Sequence, residues 1–224
     1  MAIDQHVAGG HAPPHAADAP STLTVGVGNR KLGLWIFLAS EVIFFTALIG
    51  GGILLRLTST PGTWPMPGEV LNVPLTSLNT FILIVSSVTV VQALAALQDN
   101  RRQHFRLFLV ATFVLGAAFL SVQAYEYYKL IVEEGLMLSQ FTMHGHHGEA
   151  DVVVQSVYGA AFYIQTGFHG MHVFGGVLWL SFVMIKAFLG GYAPDDYEGV
   201  EIFGLYWHFV DLVWILLFTI VYLI

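Results

Sequence analysis

The sequence is short of cysteine and of charge. It has 224 residues and no cysteine, and this absence excludes disulfides, iron–sulfur clusters and thiolate-bound copper. Only 10% of its residues are charged, whereas a soluble domain has about 25%. The formal net charge of -7 also argues against a nucleic-acid partner. With 56% hydrophobic residues and a mean hydropathy of +0.70, most side chains are expected to face lipid.

Long apolar runs take up most of the chain. A bilayer core about 30 Å thick needs roughly 20 apolar residues in a helix, and five runs reach that length. The predicted helices cover about residues 34–55, 76–97, 105–128, 157–188 and 202–224. The predicted fold is therefore all-α, a polytopic transmembrane bundle of five helices within residues 30–224.

The basic residues predict which way the bundle faces. Lys and Arg are retained on the cytoplasmic side of a membrane. Six of them lie on the side of the amino terminus: Arg30, Lys31, Arg101, Arg102, Arg106 and Lys186. Two lie on the other side: Arg56 and Lys129. This bias places the amino terminus in the cytoplasm and the carboxyl terminus in the periplasm.

Histidines cluster in two polar segments outside the apolar runs. Residues 1–29 carry His6, His11 and His15 among Ala, Pro and Gly, which favours a flexible cytoplasmic tail over a metal site. This stretch also lacks the apolar run of a cleavable signal peptide. The second cluster, His144–Glu149, has better spacing for a metal ion, but its glycines favour a plain polar loop. No metal site is therefore predicted.

On the first and fifth predicted helices, three ionisable residues fall at membrane depth, where each costs at least about 2.5 kcal/mol. Glu41 is on the first predicted helix, and His208 and Asp211 are on the fifth. At 1.5 Å per residue, Glu41 and His208 lie at nearly equal depth, so they can form a hydrogen bond if their helices touch. Asp211 shares a face with His208 and is placed to orient its imidazole. The preferred interpretation of this cluster is that its polar groups bond to each other and help the helices pack. The alternative is a carboxyl site that takes up and releases a proton.

The other polar residues of the predicted helices are assigned to packing or lipid contact. His169 and His172 are three residues apart on the fourth helix, next to glycines that allow close helix contact. Haem ligation by one of them opposite His208 is the less favoured alternative. Glu126 follows a tyrosine near the end of the third helix and is predicted to lie at the outer headgroups. Arg106 is predicted to reach back to the headgroups from the start of that helix.

Five ordered motifs resemble subunit III of the haem-copper terminal oxidases over about residues 31–224. They are Ser40–Phe45, Val73–Thr80, Gln123–Tyr128, Val157–Gly159 with Thr166–Val173, and Tyr206–Trp214. The resemblance implies a subunit without haem or copper that packs against subunit I, its main contact. Haems and copper then belong to partner subunits. Trp207, in the last motif, joins the residues assigned to packing or lipid contact.

The resemblance also implies a role and a location. Members of this family bind phospholipid, sustain proton uptake and protect the oxidase against inactivation during turnover. Glu41 matches the family's carbodiimide-reactive carboxylate. The longest members have seven helices, and this sequence lacks the first two, as bacterial five-helix forms do. The lipid cleft beside that pair is then open to lipid or completed by another subunit, in a bacterial inner membrane.

Four alternatives stay open at this point. The complex could oxidise quinol instead of cytochrome c, or the chain could be an auxiliary subunit of a nitric oxide reductase. A proton-coupled transporter that uses Glu41 and His208 belongs to a different class, and the lack of an inverted repeat argues against it. A bis-histidine cytochrome is the fourth. The motifs favour cytochrome c oxidase, and neither the donor nor the haem types follow from the sequence.

Overall fold

Five long helices account for most of the structure, a computed structural model that describes residues 28–65, 68, 70–133, 135–143 and 152–223. In chain order they are α1 Asn29–Thr58, α2 Val73–Gln98, α3 Arg102–Val132, α4 Tyr158–Phe188 and α5 Glu198–Phe218. A π-helical turn, Thr219–Leu223, continues α5. All five are long and apolar enough to span a membrane. The predicted five-helix transmembrane fold is confirmed, and its orientation stays a prediction.

The helices run past the apolar stretches that identified them. Lipid offers no hydrogen-bond partners, so backbone groups near the membrane surfaces must also be bonded within the helix. At the start of α2, the side chain of Asn72 accepts a hydrogen bond from the backbone N–H of Leu75, which satisfies one free donor of the first turn. Between α2 and α3 the chain reverses at Asn100, whose φ is 57°, a conformation that Asn tolerates. Short polar turns therefore fix where these helices end.

The packing places α5 in the middle of the bundle. Helices α2 and α3 form the most extensive pair, and α5 packs against α1, α2 and α4. Among the described helices, α1 has extensive contacts only with α4 and α5. Most of its surface is exposed. The centre is filled by large aromatic side chains, among them Phe119, Trp207 and Trp214. The functional candidates lie on the seams around α5 and between α1 and α4.

A short β-hairpin connects α3 to α4. Strands β1 Gln140–Met143 and β2 Val152–Gln155 pair antiparallel, with Gln140 opposite Gln155 and Met143 opposite Val152. The sequence predicted a plain polar loop for His144–Glu149, and the β-branched valines at 152–154 beside it favour a strand. The hairpin marks one end of the bundle, here termed the hairpin end. The His144–Glu149 cluster and the three tail histidines lie outside the described residues.

Candidate functional site

The inner face of α1 follows a three-four spacing that includes a carboxylate. Leu34, Leu38 and Phe45 are buried, and Glu41 continues the same series. Residues at this spacing share one face of a helix. The Glu41 side chain therefore points toward α4 and α5, and only 17% of it is exposed.

The partner of Glu41 is a histidine on α4. The Oε2 atom of Glu41 lies 3.1 Å from Nε2 of His172. The hydrogen bond that equal depth suggested between Glu41 and His208 is not among those of the described residues, so that pairing was wrong. The face of α1 that carries Glu41 opposes α4. The sequence around His172 did not indicate that this histidine would be the partner of Glu41. The glycines that follow it indicate only close helix packing.

The geometry of His172 fixes how many protons the pair holds. Its Nδ1 atom lies 2.8 Å from the carbonyl oxygen of Phe168, and a carbonyl can only accept, so Nδ1 carries a proton. One further proton must then lie between Nε2 and Glu41. It resides either on the carboxyl, opposite a neutral imidazole, or on the imidazole, opposite a carboxylate. Both forms leave the pair with no net charge, and a pair without net charge has a lower desolvation cost in hydrocarbon than an isolated ion.

Aromatic rings enclose the Glu41–His172 pair. The ring of Phe45 meets the His172 imidazole edge-on, with centroids 5.0 Å apart, and Phe44 packs on Phe168 at 5.1 Å. From α5, the hydroxyl of Tyr206 donates to the carbonyl oxygen of His172 at 2.9 Å. The imidazole side chain is 18% exposed. The pair is thus held in place by apolar walls, and a narrow part of it remains accessible at the seam between α1 and α4.

His169, the other histidine of α4, packs in the core between α4 and α5. His169 has no exposed surface, and its Nε2 atom donates to the carbonyl oxygen of Val210 at 3.1 Å. Its ring lies against Trp214, with centroids 4.7 Å apart, and meets Phe119 edge-on at 5.8 Å. The ring nitrogen that would be needed for haem therefore anchors α4 to α5. Within the described residues, no group of three or more His, Asp or Glu side chains is arranged to hold a metal ion.

The Trp207 side chain of α5 packs between α2, α3 and α4. Its ring is buried, and its indole N–H donates to the hydroxyl of Ser86 on α2 at 2.9 Å. The ring fits beside Gly116 on α3 and Gly176 on α4, where an added Cβ would come within 2.9 and 2.7 Å of it. These two glycines explain how three helices approach one indole. The assignment of Trp207 to packing fits this geometry.

Glu126, which was assigned to packing or lipid contact near the outer headgroups, forms hydrogen bonds within the protein, and its depth in the membrane stays a prediction. Its side chain is 4% exposed, and its two oxygens accept hydrogen bonds from Thr76 at 2.7 Å and Tyr222 at 3.1 Å. Thr76 begins α2 and Tyr222 ends the chain, so the carboxyl ties three elements together at the hairpin end. Sequence reasoning missed both partners because they are 50 and 96 residues away.

Arg106 binds the end of a neighbouring helix, and its predicted contact with the headgroups stays a prediction. Its Nε and Nη2 atoms each lie 3.3 Å from a carbonyl oxygen, those of Ala187 and Phe188 respectively. These carbonyls belong to the last turn of α4, where a cation complements both free acceptors and the helix dipole. Its guanidinium also lies over the Phe188 ring. Arg106 therefore caps a neighbouring helix.

The two polar residues of α5 take different positions. Asp211 is buried near Ser87 of α2, and its Oδ1 atom has no hydrogen-bond partner within the described residues. His208 is half-buried, and no hydrogen bond to its ring is found in that part of the chain. A proton-linked role for either residue stays a prediction.

The fold and the Glu41–His172 site define a multi-pass membrane protein with a partly buried, hydrogen-bonded carboxyl–imidazole pair between two spanning helices. The profile of a known family, Cytochrome c oxidase subunit III, matches residues 17–224. The chain belongs to this family, and the resemblance seen in the five motifs is confirmed.

Individual relatives agree with the family match. The chain is 33% identical over 205 residues to cytochrome c oxidase subunit 3 of Bacillus subtilis, covering 92% of this chain and 91% of that protein. It is 33% identical over 210 residues to a probable cytochrome c oxidase subunit 3 of Nocardia farcinica, covering 94% and 92%. For the Danio rerio protein the identity is 34%, and the match covers 86% of this chain but 68% of that protein. The bacterial relatives therefore share nearly the full extent of this chain.

Proposed function

We propose that the chain is the non-catalytic subunit III of a proton-pumping cytochrome c oxidase in a bacterial inner membrane. It packs against subunit I, and the haems and copper are held by its partner subunits. In this complex it sustains proton uptake, binds phospholipid and protects the catalytic subunit during turnover. Family membership and the names of the relatives support its place in an oxidase.

The observation that carries the proposal is the Glu41–His172 pair. It holds one proton between an oxygen and a nitrogen 3.1 Å apart, at membrane depth and with no net charge in either form. When the proton moves from the carboxyl to the imidazole, a carboxylate and an imidazolium form as an ion pair, so the net charge of the pair stays zero. A purely structural seam between α1 and α4 would need no ionisable residue there.

A cavity at the hairpin end supports lipid binding. It measures about 390 Å³ and lies between α1, α4 and the π-helical turn. Its walls are mainly apolar and include Ile53, Leu57, Phe162 and Val221. Arg56 adds a positive charge to the same wall. An apolar chamber with a cation near the membrane surface suits an acyl chain below an anionic headgroup.

Carbodiimide labelling of the purified oxidase tests the role of the pair, because the reagent attacks protonated carboxyls in apolar surroundings. We expect Glu41→Gln to abolish labelling of this chain while electron transfer to oxygen continues. His172→Leu should retain labelling, because the Glu41 carboxyl is still present and has only lost its partner. Labelling that persists in Glu41→Gln would refute the assignment.

Removal of the subunit tests the protective role. The oxidase stripped of this chain should keep its haem and copper spectrum, since those groups belong to the partners. It should complete fewer turnovers before activity is lost, and adding the chain back should restore the number. Unchanged turnover without the chain, or loss of a haem band with it, would contradict the proposal.

A further inference from the structure

One histidine interrupts an exposed apolar stripe on α5. His208 stands between Leu205 and Leu212 at a three-four spacing, so these residues share one helix face. Leu212 is 62% exposed and Leu216, one turn further, is 55% exposed. His208 lies ten residues after the start of α5, a helix of 21 residues, which places it near the middle of the membrane. A stripe that faces acyl chains alone would carry no ionisable residue at that depth.

His208 differs from the two histidines of α4 in its hydrogen bonding. His169 donates to a backbone carbonyl, and His172 binds both a carbonyl and Glu41. The ring of His208 makes no hydrogen bond within the described part of the chain. A neutral imidazole has one N–H donor and one acceptor nitrogen, and acyl chains can bind neither. The fold therefore leaves a hydrogen-bonding group at the surface where lipid cannot satisfy it.

The surroundings of His208 form a surface suited to another helix. On one side Asp211 faces Ser87 of α2, and the exposed Ile84 and Val91 of α2 lie three residues before and four after Ser87. The surface therefore combines apolar side chains from two neighbouring helices with one central polar group. Helices associate in membranes by such close packing with a polar residue at the contact.

We propose that this α2–α5 face binds a transmembrane helix of a partner subunit, and that the helix carries a hydrogen-bond acceptor at the depth of His208. A hydroxyl, amide or carboxyl side chain provides that acceptor for the imidazole N–H. This inference rests on the proposed function, because it requires the chain to assemble with other subunits. Beyond the proposed function, it specifies which face of the chain binds the partner subunit and which hydrogen bond forms there.

Photo-crosslinking in the assembled oxidase tests the face. A benzophenone amino acid replaces Leu212 on the proposed face or, as the control, Phe182 of α4, which is 72% exposed. The Leu212 variant should crosslink to a partner subunit, and the Phe182 variant should react with lipid only. Absence of the chain from the purified oxidase would instead reject the proposed function. A chain that copurifies but crosslinks only from position 182, or from position 212 only to a second copy of itself, overturns this inference alone.

Substitution of His208 tests the hydrogen bond. Interhelical hydrogen bonds in membranes contribute enough to change association by roughly threefold to 20-fold. His208→Leu should therefore release the subunit from the oxidase that much more readily as detergent is increased, and His208→Gln should hold it close to the wild-type level. His104→Leu, at the exposed start of α3, is the matched control and should leave retention unchanged. Retention of His208→Leu at the wild-type level overturns the proposal.

Discussion

Adding a single methyl group at Gly176 should disrupt the contact that holds α4 against α5. A Cβ atom at this position would lie 2.7 Å from Cζ3 and 2.9 Å from Cε3 of Trp207, and 3.1 Å from Cε1 of Tyr206. Both rings would have to move by several tenths of an ångström or more. Trp207 cannot move freely, because it is buried and its N–H is bonded to Ser86. The neighbouring Gly175 is a matched control, since its nearest atom would be 3.8 Å away.

The expected effect is the cost of overpacking. Forcing an extra methyl group into a packed core costs about 1–3 kcal/mol, which is roughly a 5-fold to 150-fold change in the folding equilibrium. Alanine is also a better helix former than glycine by about 1 kcal/mol. Gly175→Ala gains this benefit without a clash, so it should be neutral or stabilising. The difference between the two variants therefore isolates the clash at Gly176.

Thermal melting of the two variants measures this difference. The chain, fused at its amino terminus to a fluorescent protein, is heated in detergent and the intact fraction is followed by size-exclusion chromatography. For a protein of this size, a loss of 1–3 kcal/mol lowers the Tm by about 2–12 °C. Gly176→Ala should melt below Gly175→Ala by that amount, and Trp207→Phe should reduce the gap. Equal melting of the two variants, or a gap that Trp207→Phe leaves unchanged, would refute the packing argument.

Two further predictions concern the hairpin end of the bundle. Glu126→Ala should cost about 1–3 kcal/mol because it leaves the buried Tyr222 hydroxyl without its acceptor, although the Thr76 hydroxyl can still donate to the carbonyl oxygen of Asn72. Glu126→Gln keeps a carbonyl acceptor and should cost less in the same melting assay. Equal loss in both would show that the carboxylate charge, not the hydrogen bonds, matters. Alkaline phosphatase fused after Ile224 should be active if the carboxyl terminus is periplasmic, and activity at an amino-terminal fusion instead would reverse the predicted orientation.

The sequence by itself determined the number of spans and the family. Apolar length is a local property, because about 20 residues must cross the hydrocarbon whatever the neighbouring helices do. The five motifs could likewise be read in order along the chain. The hairpin was missed because its two strands are four residues long, which is too short to separate from a polar loop by pattern alone.

Only the tertiary structure decided which polar groups meet. The rise per residue predicted a depth for Glu41, but it did not give the direction in which α1 presents that side chain to its neighbours. Histidines on two helices were at accessible depth, and the packing of α1 against α4 selected His172. Glu126 followed the same rule, since its partners come from the start of α2 and the end of the chain. Depth in a membrane is set by position along one helix, whereas a hydrogen bond also needs the rotation and neighbours that packing alone supplies.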